Sequence, residues 1–229
     1  MQFAGMPDFS NNLLIFDLDG TLIDSQIDLA NSVNAMRAHM NMGPLENKTV
    51  FSYVGNGAPM LVRRSLGPGA SEEDIAAGLR YFLTYYREHM LDHTVLYPGV
   101  RDALDELHDA GVPLAILTNK PVRFSIGIIH GLGLDAHFFR IYGGNSFEQK
   151  KPDPIGIETL LGERPTPREN TVMVGDSSVD ILTARNAAVV ACGVNWGFQP
   201  ETFADAPPDI RIDQLSELAA RVLGRHLKG

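Results

Sequence analysis

Short, continuous apolar runs that alternate with stretches of helical periodicity constrain the fold of this chain more than any other feature. Uninterrupted apolar runs are typical of strands that are buried on both faces, as in a parallel sheet covered by helices. Regular alternation of such strands with helices predicts an α/β fold built on a doubly wound parallel sheet. The predicted strands are 13–16, 113–117, 141–143, 171–174, 189–194 and 210–212, and the predicted helices are 99–110, 122–131, 180–187 and 214–226.

One segment breaks this alternation, because residues 25–93 contain no convincing buried strand and only helical patterning. Apolar residues recur there at the 3.6-residue spacing of amphipathic helices. The predicted helices lie around Ile27–Arg37, Met60–Leu66 and Ile75–Tyr86. We therefore expect a helical cap domain at 25–93, inserted into an α/β core formed by 1–24 and 94–229. Its two hinges are expected at Asp24/Ser25 and at Leu96–Pro98.

The excess of acidic over basic residues excludes some classes of binding partner. The 229 residues carry a formal net charge of −9, and the sequence pI is about 5.2. Such a surface repels nucleic-acid backbones and anionic membranes, so we expect neither as a partner. The single cysteine, Cys192, excludes an internal disulfide and a thiolate metal cage. The N-terminus lacks the pattern of a secretory leader, so we expect a cytoplasmic protein, and monomer and homodimer both stay open.

Two acidic residues follow the first predicted strand directly, in the string DLDGTLID. Ligands of open α/β sheets bind beyond the carboxyl ends of the strands, which is where Asp17 and Asp19 are expected. The two residues are two positions apart, so in an extended segment their side chains leave on the same side. A divalent cation would offset the repulsion between them, and Mg²⁺ prefers such oxygen ligands. The alternative interpretation is an Asp-rich turn without a ligand.

Three further strings lie at or after later predicted strands: ILTNK at 116–120, QKKPDP at 149–154 and VMVGDSSVD at 172–180. With DLDGTLID, and in this order, they resemble the four motifs of the haloacid dehalogenase superfamily, within its phosphoglycolate phosphatase-like branch. The resemblance covers the chain from about Leu13 to Asp213 and implies a Rossmann-like core with an inserted cap. It also implies that Asp17 is the nucleophile, forming an aspartyl-phosphate, and that Asp19 is the general acid/base.

The second motif is implied to bind phosphate. Thr118 matches the phosphate-binding Thr or Ser of the family, and Asn119 offers an amide to the same oxygens. The role of Lys120 is left open by the resemblance. The alternative for Thr118 is an ST-turn that caps the helix after Pro121.

The third and fourth motifs supply a basic residue and two further acidic ones. Lys151, rather than Lys150, matches the Lys that precedes Pro in the family, and it is implied to bind phosphate and to stabilise the charge of phosphoryl transfer. Asp176 matches a metal carboxylate. Asp180 is implied to support the metal site or to pair with the Lys, and the sequence does not decide between these roles. The implied Mg²⁺ ligands are Asp17, Asp19 and Asp176.

The string YVGNGAPMLVRRSLG, at 53–67 in the expected cap, is similar to the cap segment of bacterial phosphoglycolate phosphatases. The matching residues are Gly55, Asn56, Gly57 and Arg64. The GNG turn presents backbone amides and a helix N-terminus, which suit an anionic group. Arg64 is expected to bind a substrate carboxylate bidentately, with Arg63 as its rival for that contact. The alternative is a solvated basic helix face.

The resemblance implies a magnesium-dependent phosphatase of small phosphate monoesters, with 2-phosphoglycolate as the first candidate. Asp19 favours phosphoester hydrolysis, because relatives that dehalogenate or pump ions usually lack a second Asp there. Sugar phosphates, nucleotides and pyrophosphate stay open as substrates, since fold and motifs set the reaction class and not the leaving group. A phosphosugar mutase and a non-catalytic binding module are the remaining alternatives.

Overall fold

The structure, a computed structural model, describes residues 12–225. The strands are β1 Leu13–Phe16, β2 Ile23–Asp24, β3 Val95–Leu96, β4 Leu114–Leu117, β5 Phe138–Tyr142, β6 Thr171–Gly175, β7 Val190–Val194 and β8 Ile210–Ile212. The helices are α1 Gln26–His39, α2 Asn47–Phe51, α3 Ala58–Leu66, α4 Glu72–His89, α5 Val100–Asp109, α6 Val122–Gly131, α7 Ile155–Glu163, α8 Ser178–Asn186 and α9 Leu215–Val222. Within this range no helix combines the length and apolar character that crossing a bilayer requires.

Six of the strands form one parallel sheet in the order β5-β4-β1-β6-β7-β8. The chain winds outward from β1 in both directions, which is the doubly wound α/β fold that the sequence predicts. Alternate residues of β1 enter two separate hydrophobic clusters: Leu14 and Phe16 belong to one, and Leu13 and Ile15 to the other. Helices therefore cover both faces, and the continuous apolar runs follow from burial on both sides.

The edge strand β5 is where the strand prediction is least accurate. It spans Phe138–Tyr142, whereas the apolar run predicted only 141–143. Because β5 has one strand neighbour, two of its residues, Phe139 and Arg140, are exposed, and the sequence there lacks a continuous apolar run. The five-residue helix α2 was not predicted. Residue 226, the predicted end of the last helix, lies outside the described residues.

Helices α1 to α4 lie between β2 and β3, which pair as a short antiparallel ribbon of two residues each. These helices bury a hydrophobic cluster of their own, separate from the two clusters around the sheet. Phe124 of α6 also joins that cluster and packs edge-on against Tyr86 of α4, with ring centroids 5.4 Å apart. The helical segment thus contacts the sheet region through aromatic packing above the carboxyl edge.

A buried carboxylate joins the beginning of this helical segment to its end. Asp28 of α1 is 1% exposed, and its Oδ2 accepts hydrogen bonds from the backbone N–H of His93 at 3.0 Å and of Thr94 at 2.8 Å. The Thr94 hydroxyl donates to the same oxygen at 2.8 Å. Asp28 therefore ties α1 to the segment that leads into β3.

We expect Asp28→Ala to lower the free energy of unfolding by about 2–4 kcal/mol, because it leaves the buried backbone N–H and hydroxyl of Thr94 and the partly buried N–H of His93 without an acceptor. Urea unfolding measures this change. Asp109→Ala is the matched control, since Asp109 is exposed at the end of α5. A loss no larger in Asp28→Ala than in the control would contradict the assigned role.

Candidate active site

The carboxyl ends of β1 and β6 bring three buried carboxylates together. Asp17 follows β1, Asp176 follows β6, and Asp180 lies in the first turn of α8; each contributes an oxygen within 4.8 Å of the others. Burial raises the pKa of Asp17 to about 6, with repulsion from Asp180 adding to it. Burial, together with Asp180 and Asp17, also raises the pKa of Asp176 well above its ordinary value. Gathering and burying these carboxylates therefore costs free energy, through lost hydration and mutual repulsion.

One buried cation partly offsets this charge. Lys151 Nζ lies 3.0 Å from Asp17 Oδ1 and 2.6 Å from Asp180 Oδ1. Burial alone would lower the pKa of Lys151, but the carboxylates of Asp17 and Asp180 outweigh it and raise that pKa, so the ammonium stays charged. The other oxygen of Asp180 accepts from the Ser177 backbone N–H at 3.1 Å and from its hydroxyl at 2.8 Å. Both oxygens of Asp180 are thus engaged, and it pairs with the Lys.

The donor set fits a divalent cation. Three carboxylates against one ammonium leave excess negative charge when all are ionised, and hard oxygen ligands are those that Mg²⁺ prefers. Oδ1 of Asp17 is buried and has no hydrogen bond of acceptable geometry, although Lys151 Nζ lies close to it. The residues that could hold such an ion are Asp17 and Asp176, with Asp180 supporting them through Lys151.

Glycines keep the space around this acidic cluster open. A Cβ at Gly20 would lie 2.3 Å from Asp176 Oδ2, and one at Gly197 would lie 2.1 Å from Asp176 Cβ. A Cβ at Gly175 would lie 2.1 Å from Asp180 Cγ. Gly20 also has a φ of +81°, a conformation that side chains rarely adopt. Any larger residue at these positions would displace the carboxylates.

Asp19 does not join the carboxylates as expected. Its Oδ1 and Oδ2 each lie 2.9 Å from Lys120 Nζ, and the Ser25 hydroxyl donates to Oδ1 at 2.6 Å. The expectation rested on an extended segment, but the chain turns at Leu18, whose carbonyl accepts from the backbone N–H of Leu22 at 3.0 Å. The Asp19 carboxylate therefore lies outside the acidic cluster, although it lines the same cleft.

Asn119 also differs from expectation. Its amide nitrogen donates to the backbone carbonyls of Gly55 at 3.1 Å and Lys151 at 3.2 Å, so both amide protons are already used. The side chain thus ties the GNG loop to the sheet and has no proton left for a phosphate oxygen. Thr118, by contrast, is buried and lines the cleft beside Asp17, while its hydroxyl also accepts from the Lys120 backbone N–H at 3.2 Å.

The GNG loop reaches the cleft through its glycines. Gly55 and Gly57 line it, whereas Asn56 does not. Gly57 precedes α3 and has a φ of +84°, and a Cβ there would lie 2.9 Å from the backbone oxygen of Asn119. Glycine at 57 is therefore required by both conformation and close approach.

The two arginines of α3 lie away from the cleft, which corrects the expected role of Arg64. Arg64 donates to the backbone oxygen of Tyr53 at 3.2 Å, and Arg63 forms a bidentate pair with Glu72 at 2.7 Å. Both line a separate, open groove. The reason is the orientation of α3, because its apolar residues face the interior and leave the adjacent basic pair on the outer side.

The sequence left the role of Lys120 open and did not single out Tyr86, Phe198 or Gln199 as cleft residues. Lys120 is buried against Asp19, and its Nζ lies 4.6 Å from the ring centroid of Tyr86. Phe198 donates its backbone N–H to Asp176 Oδ2 at 2.7 Å, and the amide of Gln199 donates to the Val54 backbone oxygen at 3.0 Å. Tyr86 was visible only as part of an apolar helical stripe, and the loop after β7 carries no motif.

Comparisons with known proteins agree with this architecture. A family model described as haloacid dehalogenase-like hydrolase matches residues 14–194. The phosphoglycolate phosphatase of Chromobacterium violaceum is 39% identical over 210 residues, which cover 89% of this chain and 92% of that protein. The phosphoglycolate phosphatase of Vibrio cholerae is 39% identical over 224 residues, covering 93% and 98%. The crystal structure of a predicted phosphoglycolate phosphatase from Haemophilus somnus has a TM-score of 0.86 at 31% identity, covering 93% of this chain and 98% of that one.

The chain belongs to the haloacid dehalogenase-like hydrolase family. Within the family it is similar, over most of its length, to proteins named phosphoglycolate phosphatase. The resemblance drawn from the four motifs and the predicted fold class are thereby confirmed.

We expect Mg²⁺ binding to weaken as the pH falls from about 7.5 to about 5. The pKa of Asp17 is raised to about 6 and that of Asp176 is also raised, so as the pH falls through this range protons occupy the carboxylates that the cation must bind. The dissociation constant should rise at least about tenfold, as measured by titration calorimetry. Asp109→Asn should show the same pH dependence, and equal dissociation constants at both pH values would contradict the assignment of these ligands.

Proposed function

We propose that the protein is a magnesium-dependent phosphatase that hydrolyses small phosphate monoesters, 2-phosphoglycolate first among them, through an aspartyl-phosphate intermediate. The observation that carries the proposal is the buried Asp17 carboxylate beside Lys151 at the carboxyl edge of the sheet. Family membership supports the reaction class, and the names of the similar proteins support the substrate.

Asp17 acts as the nucleophile in this proposal. Its oxygen forms a bond to phosphorus while the bond from phosphorus to the ester oxygen breaks, and water then attacks phosphorus to release phosphate and restore the carboxylate. Lys151, 3.0 Å from Asp17 Oδ1, reduces the repulsion between this carboxylate and an anionic substrate. Thr118, which lines the same cleft, binds an oxygen of the same phosphoryl group in this proposal.

Asp19 is the proposed general acid and base. It gives a proton to the departing alkoxide oxygen and takes one from the attacking water in the second step, so its protonation state is restored after each cycle. The Lys120 and Ser25 contacts hold its carboxylate in the cleft, apart from the acidic cluster. This separation lets Asp17 and Asp19 take different roles although they are two residues apart.

Mg²⁺ is the proposed cofactor, held by Asp17 and Asp176. When bound, it supplies positive charge to the phosphoryl oxygens and to the carboxylates around it. Asp180 contributes indirectly, because it holds Lys151 at 2.6 Å.

We also propose that residues 25–93 form a lid over the core residues 1–24 and 94–229. A separate hydrophobic cluster inside α1 to α4 and the two short connecting strands β2 and β3 support this division. Closure of such a lid excludes water from the reaction. The net charge of −9 and the single cysteine support a cytoplasmic enzyme without nucleic-acid or membrane partners.

Asp17→Asn should abolish magnesium-dependent phosphate release from 2-phosphoglycolate, because an amide cannot form the acyl-phosphate. We expect a loss of at least about a thousandfold in kcat. A colorimetric phosphate assay measures it, with Asp109→Asn as the folded, exposed control. Activity in Asp17→Asn close to that of the control would refute the proposed nucleophile.

A substrate screen tests the leaving group. We expect kcat/KM to be highest for 2-phosphoglycolate among 2-phosphoglycolate, sugar phosphates, nucleoside monophosphates and pyrophosphate. If kcat/KM is highest for another ester, the proposed substrate is wrong, but the proposed phosphatase reaction stands. An isomerised sugar phosphate with little free phosphate would instead identify a mutase.

A further inference from the structure

The cleft has a strongly charged end, where the proposed reaction takes place, and a second end whose residues have no role in that reaction. Around Asp17 and Asp176 lie the groups that the phosphoryl chemistry uses. Toward the cap the lining becomes apolar and aromatic, with Leu29, Val54, Leu61, Phe82, Phe124 and Phe198. An anionic leaving group in such surroundings loses its hydration, so it needs a cation and hydrogen-bond donors there.

Lys120 is the only cation among the residues that line this cleft, all of which lie in the described part of the chain. Its ammonium has three protons, and its two hydrogen bonds go to the oxygens of Asp19. The third proton is free for a ligand or for the oxygen of the neighbouring Tyr86 hydroxyl. Lys151 serves the opposite end, because it is paired with Asp17 and Asp180.

A second unpaired donor lies beside Lys120. The hydroxyl of Tyr86 is buried, with the residue 1% exposed; its oxygen lies beside the Lys120 ammonium, which can donate to it, and no described residue accepts its proton. Its ring lies 4.6 Å from Lys120 Nζ and lines the same cleft. Buried hydroxyls normally have a partner, so this group needs an explanation. Tyr86→Phe would leave both hydrogen bonds between Lys120 and Asp19 in place.

We propose that Lys120 and the Tyr86 hydroxyl together bind the carboxylate of a phosphorylated hydroxy acid, and so determine the specificity of the enzyme for its leaving group. This inference rests on the proposed function and names the residues that recognise its substrate. The substrate carboxylate, which the sequence analysis expected Arg64 to bind, is thus assigned to Lys120 of the core and Tyr86 of α4.

The geometry explains why this pair suits a short acid. Lys120 contacts both oxygens of Asp19, the proposed acid/base, so a carboxylate on Lys120 lies next to the group that protonates the ester oxygen. In 2-phosphoglycolate a single methylene separates the carboxylate from that oxygen. Tyr86 comes from the cap and Lys120 from the core, so the proposed carboxylate bridges the two parts.

The test compares kcat/KM for 2-phosphoglycolate with that for ethyl phosphate, which has a methyl group in place of the carboxylate. The ratio of the two values cancels any shared effect on Asp19 or on the fold. We expect Lys120→Met to lower the ratio at least about thirtyfold and Tyr86→Phe about tenfold, mainly through KM, since each removes a hydrogen bond to a charged group. Lys120→Arg should retain part of the preference. Arg64→Met, which alters a residue outside the cleft, should keep the wild-type ratio.

The outcomes separate the inference from the proposed function. A wild-type ratio well above one that persists in Lys120→Met and Tyr86→Phe overturns the inference alone, as does a collapse of the ratio only in Arg64→Met. A wild-type ratio near one overturns the proposed substrate together with the inference. If Lys120→Met is inactive with both esters, the ratio of Tyr86→Phe decides, and its thermal unfolding midpoint shows whether the variant is folded.

Discussion

The burial of several carboxylates at one edge of the sheet is the constraint on which the rest of this structure depends. Asp17, Asp176 and Asp180 lie within 4.8 Å of one another and would repel if left alone. Lys151 offsets part of that repulsion, and backbone N–H groups donate to Asp176 and to Asp180. Strand ends, glycines and the loop after β7 are all arranged to keep these charges close.

The sheet and the chemistry of its carboxyl edge could be predicted because their signals are local. Burial of β1, β4, β6 and β7 on both faces leaves apolar runs in the sequence, and each motif follows a strand directly. Parallel pairing of β1 with its neighbours then brings Asp17, Thr118 and Asp176 to one edge without further information. The edge strand β5 was shifted because one of its sides is exposed.

The direction of side chains beyond the strands could not be predicted, because it depends on the turns and on packing between distant segments. Asp19 leaves the acidic cluster since the chain turns at Leu18, and its partner Lys120 is 101 positions away. Arg64 points outward because packing of the apolar face of α3 fixes the rotation of that helix about its axis. Tyr86 could be recognised as a cleft residue only from the packing of α4 over α6.

The contacts between the core and the GNG region have an evolutionary consequence. Asn119 and Gln199 donate to the backbone oxygens of Gly55 and Val54, so at this loop the core binds the main chain of the cap. Any residue type that can adopt the local backbone conformation presents the same carbonyl oxygen. Substitutions in this part of the cap can therefore change the side chains that face a substrate while these two main-chain hydrogen bonds are kept. Such an attachment allows the cap to diverge toward other substrates.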